Sequence, residues 1–171
     1  MRRSLTASLA AASLAATLLG TVGCASNPAP FEVAGANPNL TPAKVVERGA
    51  ATRGNVVIWG GTIVDAKNLD RYTELEVLAY PLQSNQRPDL DQAPLGRFRA
   101  QREGYLETVD YAPGREVTVK GAVEDPVSGK VGDSSYEFAV VDVHQIELWD
   151  RRQETYSEPQ VHFGIGVVFG N

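Results

Sequence analysis

One cysteine, Cys24, and two histidines, His144 and His162, are all that the 171 residues offer of the side chains that most often ligate transition metals or act as nucleophile and base near neutral pH. A lone cysteine excludes an intramolecular disulfide framework and the paired-cysteine zinc and redox motifs. Basic residues are also in the minority, 16 Lys and Arg against 21 Asp and Glu for a net charge of −5. They form no stripe, so nucleic acid, which is bound largely through Lys and Arg, is not an expected partner. Beyond Cys24 there is no apolar run of about 18 residues, so no helix of that part is expected to span a bilayer. Missing too are a Gly-x-Ser-x-Gly elbow, a zinc-protease helix motif and a phosphate-cradling glycine loop that opens a helix. No triad, metal cluster or activated nucleophile can be assembled, so the chain reads as non-enzymatic and without a cofactor.

What is present begins with a leader. Arg2 and Arg3 precede an uncharged Ala/Leu-rich stretch, Leu5 to Leu19, which is the composition of a secretory signal in residues 1–23. Cys24 follows Thr21-Val22-Gly23 directly after it. Gly23 fits the small residue of a bacterial lipobox, while Thr21 stands where that motif usually has Leu. Position and the absence of a disulfide partner make Cys24 the expected lipidation site, and several acyl chains there suffice for stable anchoring where one does not. Loss of Arg2 and Arg3 with the leader takes the net charge from −5 to −7. In residues 24–40, Asn27, Pro28, Pro30, Gly35, Asn37 and Pro38 interrupt any periodicity, and the stretch reads as a lipidated tether.

A domain is expected over residues 41–150. Thr41-Pro42 has the form of an N-cap followed by proline at the first helical position, predicting a short helix near 42–48 that Gly49 ends. Five strand patterns follow: 55–64, with the pair Gly60-Gly61 suggesting a bulge or sharp coil; 73–80, with Leu75, Val77 and Ala79 inward; 96–100; 115–123, with Val117, Val119 and Val123 inward and Glu116, Thr118 and Lys120 outward; and 136–149, apolar on both faces around Phe138 to Val143. Ser84 to Pro94 reads as a long surface loop, and Asp125-Pro126 to Lys130 as the break before the last strand. Short strands with glycine and proline turns favour closure, which removes exposed edges, so the expected fold is all-β, a small antiparallel OB-like barrel with one short N-terminal helix. The tail, 151–171, contains Val161 to Gly170, where apolar residues alternate with glycine. It reads either as an extra strand on the barrel or as an apolar segment that meets a membrane or a partner.

Some residues could be read as chemistry. Asp142 and His144 share a strand face, as do Glu74 and Glu76, and Arg97 and Arg99. The expected reading is a solvated or locally hydrogen-bonded histidine with no metal site, and outward charges that pair across strands. Trp59, Tyr72, Tyr80 and Tyr105 could stack sugars or bases, but core packing is the expectation.

Trp59-Gly60-Gly61-Thr62-Ile63, Thr73-Glu74-Leu75-Glu76-Val77 leading to Tyr80-Pro81-Leu82, Gly96-Arg97-Phe98, Tyr105-Leu106, Gly114-Arg115, Val117-Thr118-Val119-Lys120-Gly121, Gly132 and Leu148-Trp149 occur in this order. Together they resemble the Slp family of outer-membrane lipoproteins. The resemblance implies a lipoprotein held in the Gram-negative outer membrane, associated with starvation or stress, and without established catalytic residues. It also implies outer-membrane sorting, since Ala25 rather than Asp follows Cys24. The expected role is structural or interactive, with membrane lipid as partner through acylated Cys24 and an envelope protein or glycan as a further partner class. The alternative is a periplasmic ligand-binding module for an envelope saccharide or peptidoglycan fragment.

Overall fold

The structure, a computed structural model, describes residues 28–152. The leader, Cys24 and the Val161–Gly170 segment lie outside these residues. Within them the order is α1 (Pro42–Arg48), a 3-10 turn (Gly49–Thr52), β1 (Val56–Asn68), β2 (Tyr72–Tyr80), β3 (Gly96–Glu103), β4 (Glu116–Val131) and β5 (Ser134–Leu148). No helix among the described residues is long and apolar enough to cross a membrane.

The helix forms as its ends dictate. Thr41 Oγ1 accepts from the Lys44 amide, Pro42 opens the first turn, and Gly49 ends the helix at φ 59°, where a side chain would be strained. Its buried Val45 joins the core beside β3 and β5.

The strands close in the order β1-β2-β3-β5-β4, with β4 returning to β1. This is the expected OB-like barrel. All neighbours are antiparallel except β3 and β5, which pair in parallel from Phe98↔Ala139 to Gln101↔Asp142 because β4 crosses the barrel before β5 returns. Inward rows of Leu75, Val77 and Ala79, of Val117, Val119 and Val123, and of Ala139, Val141 and Val143 meet Trp59, Ile63 and Phe98 in one core. Their apolar burial is the main favourable term in holding the barrel closed.

Three local readings are corrected. The Gly60-Gly61 pair stays in register with both neighbours, and the irregularity of β1 falls later, between Ile63 and Asp65. The glycines serve close approach: a Cβ on Gly61 would lie 1.9 Å from the Leu78 carbonyl oxygen. The break expected at Asp125-Pro126 to Lys130 is absent. Strand β4 runs on to Val131, with Pro126 at a register shift between Glu124 and Val127, where a missing N–H is tolerated. The turn comes instead at Gly132, φ 58°. Finally, Glu116 and Thr118, expected to face water, are buried on the outer surface because the β2–β3 loop and Trp149 cover them.

Candidate functional site

Residues 28–41, just before α1, do not stand clear of the barrel. Phe31 and Leu40 are buried, the Asn37 amide donates to the Val56 carbonyl at 2.8 Å, and Ala36 bridges to Val56 alongside β1. Phe31 and Leu40, the two large apolar side chains buried there, supply the burial that draws this stretch in.

Gln86 fixes this segment from the other side. Its Nε2 donates to the Phe31 carbonyl at 2.7 Å while its Oε1 accepts from the Phe31 amide at 3.0 Å. The side-chain amide thus imitates a strand partner across 55 residues of sequence. Gln86 has a φ of 66°, the single non-glycine residue with positive φ among those described. A hydrogen-bonded column supports it: Thr118 Oγ1 donates to the Gln86 carbonyl at 2.8 Å, and Trp149 Nε1 donates to Thr118 Oγ1 at 2.9 Å. Beside the column, Arg87 lies with Cζ 5.7 Å from the centre of the Trp149 ring and binds buried Glu116, which also takes Arg152. Burial alone pushes the Glu116 pKa up, but the two guanidinium groups outweigh it and hold the carboxyl below its ordinary value.

Between the N-terminal segment, the outer face of β1 and the end of β2 with its following loop lies an open groove of about 1040 Å³. Phe31, Val33, Leu40, Ile58, Leu82 and Leu95 give it apolar walls, and among the described residues Glu32 is the one charged residue in its lining. Trp59 closes the floor. It is 6% exposed, packs edge-on to Phe98 with centroids 5.2 Å apart, and donates Nε1 to the Leu40 carbonyl at 2.7 Å. At the rim, Lys120 Nζ donates to the Glu32 carbonyl at 2.7 Å, one strand over from Ile58.

The residues singled out from sequence fall elsewhere. Glu76 pairs with Arg97, and Glu74 with Arg99 at 3.4 Å and with Gln101 at 3.0 Å, all on the outer face of β2 and β3. Arg99 also lies 4.4 Å above the ring of Phe138. These are cross-strand pairs holding a sheet face. His144 and Asp142 are both exposed, with Nε2 and Oδ2 3.9 Å apart. Among the described residues no three His, Cys, Asp or Glu side chains are grouped to hold a metal. The aromatic set does not converge: Trp59 is core, Tyr80 reaches the groove, and Tyr105 is exposed with its hydroxyl donating to the Asp70 carbonyl at 3.0 Å. Of the loop Ser84 to Pro94, only Ser84 and Gln86 line the groove.

The groove itself escaped sequence reasoning, because its walls come from segments 29–42, 58–59 and 79–95, none of which carries a motif for it. Phe31 and Leu40, large apolar residues within a proline- and asparagine-interrupted stretch, were the available signal.

The sequence profile of a family described as "Outer membrane lipoprotein Slp family" matches residues 21–168. Escherichia coli K12 has a relative named "Uncharacterized lipoprotein YeaY", 31% identical over 138 residues, which are 81% of this chain and 71% of that protein. A second relative from the same organism, "Outer membrane protein Slp", is 30% identical over 95 residues, 56% of this chain and 50% of that protein. Among solved structures, a mitochondrial single-stranded DNA-binding protein from S. cerevisiae is 15% identical, covering 56% of this chain and 94% of its own, at a TM-score of 0.36.

Proposed function

Since the chain belongs to the outer membrane lipoprotein Slp family, we propose that it is a non-catalytic envelope protein, held in the outer membrane by acyl chains on Cys24 and serving there as a structural or interaction module whose need rises under starvation or stress. The observation that carries this reading is the family match, which begins at residue 21 and so takes in Cys24. Geometry supports it. Pro28 lies four residues beyond Cys24, a span of at most roughly 14 Å, and the groove wall starts at Ala29. On this reading the barrel is held close to the membrane by its N-terminal segment and offers its outer surface to an envelope partner.

Intact mass and membrane fractionation test this, comparing the native sequence with Cys24→Ser in a Gram-negative host. The expected result is a chain that starts at Cys24, carries diacylglyceryl and acyl groups, and sediments with the outer membrane. The Cys24→Ser chain should lose both the added mass and the sedimentation. A native chain that is soluble and unmodified overturns the anchor.

A further inference from the structure

We propose that the groove beside the N-terminal segment binds one acyl chain of a membrane phospholipid, with the anionic headgroup at Lys120. It rests on the envelope reading only for the source of the lipid. A hydrocarbon chain asks for apolar walls and no hydrogen bonds, and the groove offers Phe31, Val33, Ile58, Leu82 and Leu95 with, among the described residues, a single charged lining residue, Glu32. Its volume of about 1040 Å³ is enough for a lipid-sized ligand.

Two polar side chains of the lining, Gln86 and Trp59, are already engaged. Both ends of the Gln86 amide bind the Phe31 backbone, and Trp59 Nε1 binds Leu40. A saccharide needs polar partners aimed into its site and an aromatic face on which to lie. Here the Trp59 ring is buried edge-on against Phe98, so its face is closed to a sugar, and the apolar walls suit an acyl chain.

Charge adds an orientation. Lys120 is half-buried at the rim, and its ammonium, tied to the Glu32 carbonyl at 2.7 Å, is placed to meet a phosphate while the chain lies along Ile58 and Leu82.

The test uses residues 24–171 carrying Cys24→Ser, so that failure of the anchor reading leaves its outcome untouched. The probe is lysophosphatidylglycerol with a brominated acyl chain, kept below its micelle concentration, and the readout is quenching of tryptophan emission. Saturable quenching at one lipid per chain by native mass spectrometry is expected. Leu82→Glu should weaken it at least about tenfold, because it sets a charge in an apolar wall. Ile58→Glu repeats the test if Leu82→Glu does not fold. Lys120→Gln should weaken the anionic probe several-fold and leave a brominated monoacylglycerol unchanged. Absence of saturable quenching, or quenching indifferent to the Leu82 and Ile58 changes, overturns the proposal. So does binding that appears only after Phe163→Asp with Ile165→Asp, which would assign the groove to the chain's own Val161–Gly170 segment.

Discussion

Arg87 grips the Glu116 carboxylate with two hydrogen bonds, 2.8 Å from Nε and 3.1 Å from Nη2. Arg152 adds its own pair to the same carboxylate, 2.7 Å from Nε and 3.1 Å from Nη2. One buried acid thus fastens the β2–β3 loop and the chain after β5 to the first residue of β4.

The pH dependence of stability follows. Glu116 has a folded-state pKa below its ordinary value of 4.5, so its contribution is fully present above about pH 4.5 and fades as pH falls through the folded value. Glu116→Gln should cost about 2 kcal/mol at pH 7, the worth of a charge-assisted pair partly open to water. Urea unfolding from pH 7 down to pH 3 checks this: the gap between native and variant should narrow on acidification. A gap that is constant with pH would mean that the carboxylate charge does not hold this corner.

Gly61→Ala should be the most damaging single-methyl change in the barrel wall. The added carbon would lie 1.9 Å from the Leu78 carbonyl oxygen, which is backbone and paired in the sheet. A loss of about 3 kcal/mol is expected. Gly104→Ala serves as comparison, since its φ of 81° is strained for alanine but nothing lies within 4 Å of the new carbon. That change should cost about 1 kcal/mol. Similar thermal shifts for both variants would remove close strand approach as the reason for the glycine pair.

Legibility in the sequence followed period. Leu75, Val77 and Ala79 alternate strictly and fell inward as expected, and so did Val117, Val119 and Val123. The charges of Glu74, Glu76, Arg97 and Arg99, read as cross-strand partners, became such partners. Where the pattern depended on distant coverage it misled. Glu116 and Thr118 have the alternation of a wet face, yet a loop some 30 residues earlier in the chain, joined to Thr118 through Gln86, dries them. Pro126 looked like a strand breaker because its tolerance depends on a register shift that only the partner strand creates. The groove was invisible for the same reason: Phe31 and Gln86 meet by a side-chain amide copying a backbone partner, which leaves no local periodicity to detect.

Trp59→Phe tests how the floor of the groove holds the N-terminal segment. It removes the 2.7 Å bond from Nε1 and leaves the buried Leu40 carbonyl without that donor, while keeping most of the contact with Phe98. The expected cost is about 2 kcal/mol in denaturant unfolding, combining an orphaned acceptor with a smaller ring. A change under about 0.5 kcal/mol would mean that water replaces the indole at Leu40.

Gln86→Ala separates the groove wall from the barrel behind it. The substitution deletes both bonds to Phe31 and keeps an L residue at the φ of 66°, so the loop loses its grip on the segment with no change in backbone strain. The column behind it uses the Gln86 carbonyl, not the side chain, so Thr118 and Trp149 keep their bonds. Local opening of the segment should therefore become easier while global unfolding shifts by only about 1–2 kcal/mol. Hydrogen exchange reads the difference: the Phe31 amide should lose at least about a hundredfold in protection, while Val119 and Val141 in the barrel lose no more than the global shift allows, roughly 5- to 30-fold. If the Phe31 amide keeps its protection, burial of its ring is what holds the segment, and the amide clasp is secondary.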